Sequence, residues 1–152
     1  MLKEKIKAPD FKLIDQNNKF HTLLDYKGKW AAIYFYPRDN SPGCTTEAKN
    51  FRDNVDKFKR LNAEVIGISP DSPLSHKKFA DQYNLPITLL SDPGKEVIKK
   101  YHAGGIITKR VSYLINPEGL IEKAYPTVNP AKHAEEILSD LEEFSKELRN
   151  YE

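Results

Sequence analysis

Trp30-Ala31-Ala32-Ile33-Tyr34-Phe35-Tyr36-Pro37-Arg38-Asp39-Asn40-Ser41-Pro42-Gly43-Cys44-Thr45-Thr46-Glu47 runs from an unbroken apolar segment, through a proline-bounded loop, to the only cysteine of the chain. The apolar segment reads as a strand covered on both faces, because a strand open to water on one side alternates apolar with polar residues. Beyond Cys44, Ala48, Phe51, Val55 and Phe58 recur at spacings of three and four, which predicts a helix from about Cys44 to Leu61 with one apolar stripe. The cysteine therefore falls in the first turn of that helix.

Working outward, Val65-Ile66-Gly67-Ile68 is a second buried strand, central and parallel to the first. Three more helices are expected where a capping residue precedes proline, at Ser72-Pro73, Asp92-Pro93 and Asn129-Pro130. The last carries Ala134, Ile137, Leu138, Leu141, Phe144 and Leu148 on one face, with Glu135 and Glu136 early and Lys146 and Arg149 late, as the helix dipole favours. Val111 to Ile115 and Leu120 to Tyr125 flank the short turn Asn116-Pro117-Glu118-Gly119 and so pair antiparallel. Phe11 to Ile14 and Phe20 to Leu24 form an N-terminal β-hairpin at an edge. Parallel strands, then a hairpin and a closing helix, give an α/β chain of thioredoxin-like order: a central mixed sheet flanked by helices, in one domain over 1–152.

Composition narrows the function. The 152 residues are 39% apolar and 30% charged, enough for one globular core. With 24 basic against 22 acidic residues the net charge is +2, which gives no electrostatic case for nucleic acid or an anionic membrane. No run approaches the ~20 apolar residues of a membrane span, and the N-terminus lacks the apolar stretch of a secretory signal. A lone cysteine makes no internal disulfide and no thiolate zinc site, and it suits a reducing compartment, so the expected location is cytoplasmic. His21, His102 and His133 show no metal-ligand spacing, and no glycine-rich phosphate loop is present. No metal and no nucleotide cofactor are expected.

Cys44 is the candidate nucleophile. A thiol of ordinary acidity is only about 3% ionised at pH 7. A helix N-terminus adds ~1 kcal/mol in favour of the thiolate, which leaves room for a second positive group. Pro37 and Pro42 bracket the preceding loop and restrict it, so that backbone N–H groups near Cys44 can be held for a ligand. Ser41 offers a hydroxyl for a substrate or for the helix start. Glu47 reads as a capping-box or dipole residue, with a nearby basic partner as the alternative. Arg38 and Asp39 read as loop-surface charges, and His76 is the histidine to test first as a general base.

Pro37, Ser41 and Cys44 match the active-site pattern of the peroxiredoxins, in which a proline, a threonine or serine and the cysteine follow at fixed spacing. Tyr34-Phe35-Tyr36-Pro37, Ser41-Pro42-Gly43-Cys44-Thr45, Ile68-Ser69-Pro70-Asp71-Ser72, Ser75-His76-Lys77-Lys78-Phe79 and Arg110-Val111-Ser112-Tyr113-Leu114-Ile115 extend the resemblance to the bacterioferritin comigratory protein, or PrxQ, branch over nearly the whole chain. The resemblance implies a thioredoxin-fold peroxidase that reduces hydrogen peroxide and organic hydroperoxides through a cysteine sulfenic acid. By the same resemblance Pro37 shields the sulfur, Ser41 contacts the peroxide and Arg110 faces the thiolate. Lys109 should point to the opposite face of its strand.

One departure matters. Many PrxQ-type enzymes carry a resolving cysteine five residues after the first, and Lys49 stands there. The chain therefore resembles a one-cysteine member that depends on an external thiol such as thioredoxin or glutaredoxin, acting as a monomer or weak homodimer. The competing readings are a monothiol disulfide-exchange protein, since Ser41 and Cys44 form Ser-x-x-Cys, and a non-enzymatic redox sensor.

Overall fold

The computed structural model describes the backbone of residues 1–150 and side chains as far as Glu147. Its elements are β1 (Lys12–Asp15), β2 (Phe20–Thr22), β3 (Trp30–Phe35), α1 (Pro42–Arg60), β4 (Ala63–Ser69), α2 (Pro73–Tyr83), β5 (Thr88–Ser91), α3 (Glu96–Lys100), β6 (Val111–Ile115), β7 (Ile121–Tyr125) and α4 (His133–Asn150), with a short 3-10 turn at Leu23–Tyr26. The seven strands form one mixed sheet in the order β2-β1-β5-β4-β3-β6-β7. As expected, β3 and β4 lie at its centre and pair in parallel, and β1 and β2 form the edge hairpin.

Every residue of β3 is buried, and the reason is two cores rather than one. Trp30, Ala32, Tyr34 and Tyr36 face α1, α2 and α4, while Ala31, Ile33 and Phe35 face the N-terminal segment and α3. Period-2 alternation thus delivers apolar residues to both layers. Phe51 and Phe58 of α1 and Ala134, Ile137 and Leu141 of α4 fill the first layer, with Phe51 stacked 4.6 Å from Tyr34. Leu148 and Arg149, expected at the end of α4, have side chains outside the described residues.

Ser72 caps α2 as expected, its Oγ accepting from the Ser75 N–H. The other two proline-marked starts are displaced. Lys95 adopts a left-handed conformation, φ 57°, so α3 begins at Glu96 and Asp92 serves it from a distance by accepting from the Ile98 N–H. Asn129 likewise folds onto its own chain, with Oδ1 accepting from the Ala131 N–H, and α4 starts only at His133. Leu23 and Leu24 leave the hairpin for the 3-10 turn.

Candidate active site

Topology explains why the residues around Cys44 meet. Because β3 and β4 are parallel, their C-terminal ends open on one edge, where the loop from Tyr36 to Ser41 leads into α1. β6 runs antiparallel to β3 with Val111 opposite Phe35, so the residue just before β6 arrives at that same edge. That residue is Arg110. Its Nη2 donates to Cys44 Sγ at 3.3 Å and its Nη1 to Glu47 Oε1 at 2.8 Å.

Cys44 is the third residue of α1 and only 1% exposed. Gly43 beside it eases the approach of the guanidinium, since a Cβ there would crowd Arg110 Nη2 at 3.1 Å. Lys109 points outward and is exposed, which leaves Arg110 as the cation at the sulfur. Pro37 sits half-buried in the loop, and Asn40 turns that loop with φ 62°.

Ser41 occupies the N-cap position of α1, but its hydroxyl donates to the Arg38 carbonyl at 2.9 Å instead of capping the helix. The N–H groups of Gly43 and Cys44 are therefore not capped by that side chain, and Pro42 has no N–H to offer. The hydroxyl proton is committed, so Ser41 turns lone pairs, not a free O–H, toward any further partner.

Glu47 is the residue the sequence underrates. It lies three positions after Cys44, on the same buried stripe as Phe51, Asn54 and Phe58, and it is fully buried. Burial pushes its carboxyl up to about 7, against the pull of Arg110 toward the ionised form. Glu47 Oε2 and the Tyr34 hydroxyl are both buried with no hydrogen-bond partner among the described residues. Burial, with the Glu47 charge next, also holds the Tyr34 hydroxyl far above the usual phenol range. Glu47 is thus neither a capping-box nor a dipole residue; it is the second anchor of Arg110.

Asp39 also departs from expectation. It is buried rather than a surface charge: Oδ1 accepts from the Tyr36 hydroxyl at 2.6 Å, Oδ2 accepts from Ser75 Oγ at 2.8 Å, and His76 Nδ1 lies 2.6 Å from Oδ2. His76 is fully buried, with Nε2 3.1 Å from the Leu90 carbonyl. Among the described residues both His76 ring nitrogens face the buried interior, Asp39 and the Tyr36 hydroxyl on one side and the Leu90 carbonyl on the other, which removes it as a general base open to substrate. Asp71 Oδ2 accepts from the Asp39 N–H and from Ser69 Oγ. Asp39, Asp71 and His76 bring ligand-type atoms within 4.8 Å of one another, a juxtaposition that sequence spacing did not reveal. The contacting atoms are already engaged in these hydrogen bonds, and the cluster reads as a polar network.

At the position of the missing resolving cysteine, Lys49 Nζ lies 4.8 Å from the centroid of the Tyr83 ring. Arg52 Nη1 donates to the Tyr83 carbonyl and the Tyr83 hydroxyl to Asn40 Oδ1, so α1, the end of α2 and the loop before Cys44 are tied together.

Residues 5–124 match the AhpC/TSA family. Chloroplastic peroxiredoxin Q of Populus jackii is 43% identical over 139 residues, 88% of this chain and 65% of the relative, so the chain spans just under two thirds of that protein. A Cys-to-Ser mutant of Xylella fastidiosa PrxQ superposes with a TM-score of 0.90 at 29% identity, covering 95% of this chain and 98% of the other. Xanthomonas campestris bacterioferritin comigratory protein, studied for its alkyl peroxide reduction, gives 0.85 at 28% identity over 89% of this chain and 92% of the other.

Proposed function

The chain belongs to the AhpC/TSA family, in the company of peroxiredoxin Q proteins, and from that premise we propose that it is a thiol-dependent peroxidase acting through Cys44. The observation that carries the reading is the Arg110 guanidinium 3.3 Å from a buried sulfur in the first turn of a helix. The guanidinium and the helix N-terminus are both placed to meet negative charge at the sulfur during reaction.

In the first step the Cys44 thiolate attacks the terminal oxygen of the peroxide. The S–O bond forms as the O–O bond breaks, and the departing hydroxide or alkoxide keeps the electron pair and takes up a proton. Sulfur is oxidised to the sulfenic acid and the peroxide is reduced to water or an alcohol. Arg110 and the uncapped N–H groups of Gly43 and Cys44 are placed to meet the charge moving onto the leaving oxygen. Pro37 serves to keep water from the sulfur, and Ser41 orients the loop through Arg38 while offering lone pairs to the peroxide.

Recovery requires outside help, since the chain has no second cysteine. A first external thiol condenses with the sulfenic acid, releasing water and leaving a mixed disulfide; a second thiol returns Cys44 to the reduced form and leaves as the oxidised reductant. A thioredoxin-like protein or a glutaredoxin fits that role. Burial of the sulfur favours small peroxides over bulky disulfides as the oxidant, which supports peroxidase over monothiol exchange. Cys44, Glu47 and Arg110 all come from one chain, in keeping with a monomer or weak homodimer, and the lone thiol suits a reducing, cytoplasmic setting.

The test is peroxide consumption with a panel of reductants, comparing wild type with Cys44→Ser. Loss of all turnover in the variant is the expected result. A variant that keeps full activity would remove Cys44 from the mechanism.

A further inference from the structure

His76 presents both ring nitrogens to acceptors. Nε2 faces the Leu90 carbonyl at 3.1 Å, and a carbonyl can only accept, so Nε2 carries a proton. Nδ1 faces Asp39 Oδ2 at 2.6 Å, and that carboxylate already accepts from the hydroxyls of Tyr36 and Ser75. An oxygen pair gathering O–H donors in this way is placed to accept from Nδ1 too, and the Tyr36 hydroxyl, 3.4 Å from Nδ1, is turned to Asp39 at 2.6 Å. The groups around the pair are Tyr36 from the end of β3, Asp71 from the loop after β4, Ser75 from α2 and Leu90 from β5; among the described residues no Lys or Arg side chain forms an ion pair with Asp39.

Asp39 stands in the loop between Pro37 and Ser41, and through its own N–H it is held to Asp71 at 2.8 Å. One residue earlier, the Arg38 carbonyl receives the Ser41 hydroxyl; one residue later, Asn40 receives the Tyr83 hydroxyl. We propose that Asp39 and doubly protonated His76 form a buried carboxylate–imidazolium pair that positions the loop entering α1 and thereby sets the reactivity of Cys44 without touching substrate. The proposal rests on the reading of Cys44 as the peroxide-reactive thiolate. Asp39 and His76 are positioning residues: a loop displaced by even a fraction of an ångström misplaces the helix start that meets the leaving oxygen.

Two measurements decide it. Nitrogen NMR of the intact protein labelled in histidine should show both His76 ring nitrogens protonated at neutral pH; a neutral ring with a bare Nδ1 overturns the pair. The second-order rate of Cys44 sulfenic acid formation with hydrogen peroxide should fall about ten- to a hundredfold in His76→Gln and in Asp39→Asn. Ser75→Ala, which removes one donor to Asp39 without unpairing a charge, should give a smaller fall in the same direction and serves if the other variants fail to fold. Folded variants that react as fast as a reactive wild type overturn the positioning role alone. A wild type that does not react with peroxide overturns the peroxidase reading itself.

Discussion

Glu47 and Arg110, 63 residues apart in the chain, meet at 2.8 Å beneath the sulfur. The carboxylate is fully buried while the guanidinium retains 21% side-chain exposure, so one end of the bridge is dry and the other reaches toward the surface. Of the two terminal nitrogens of the guanidinium, Nη1 donates to Glu47 and Nη2 to Cys44.

That division makes Arg110→Lys a non-conservative change. A lysine ammonium is a point charge on a flexible stem and cannot present two fixed N–H groups to two partners. We expect the rate of Cys44 oxidation by peroxide to fall about a hundredfold, the scale of removing one oriented donor from a reacting oxyanion. Competition kinetics with a reference peroxidase measures it, and a rate within twofold of wild type would show that charge without geometry suffices.

Glu47 gives stability a pH dependence whose sign is fixed. Its carboxyl is raised from 4.5 to about 7 in the folded chain, so the folded state binds its proton more tightly than the unfolded one. The contribution is complete below pH 4.5 and is lost as pH rises through about 7, a change on the order of 3 kcal/mol. Glu47→Gln lacks this titration. Urea unfolding of both proteins between pH 5 and 8 should show the wild type losing stability relative to the variant as pH rises; a constant difference would contradict the assignment.

Gly67→Ala tests the floor of the site. A Cβ at Gly67 would stand 2.7 Å from Tyr34 Cζ and 2.8 Å from its hydroxyl, and the ring cannot retreat freely because Phe51 and Tyr36 stack on it at 4.6 and 5.4 Å. The expected loss is about 1–3 kcal/mol, read as a lower urea midpoint at unchanged slope. A midpoint equal to wild type would mean that the aromatic stack yields.

The parts of this architecture legible in sequence are those written in local periodicity. β3 and α1 announce themselves through an apolar run and a stripe at three and four, and Cys44 inherits its place from both. α3 and α4 begin late because Lys95 turns left-handed ahead of α3 while Asp92 reaches past it to Ile98, and because Asn129 satisfies the Ala131 N–H in a turn before α4; a capping residue followed by proline looks the same in either case. Asp39 is hidden for a different reason: a charged residue in a polar loop defaults to the surface, and the residues that bury it, Asp71, Ser75 and His76, lie 32 to 37 positions further along. Glu47 had a signal, its position on the stripe that carries Cys44 and Phe51, but a carboxylate on an apolar face carries meaning only once its cation is known.

Arg110 reaches Cys44 across 66 residues of sequence, and only after β6 has docked antiparallel on β3. An emerging or partly unfolded chain therefore holds Cys44 and the guanidinium apart. Folding and assembly of the Cys44 site are thus a single event: sulfur, helix start and guanidinium come together only once the sheet is complete.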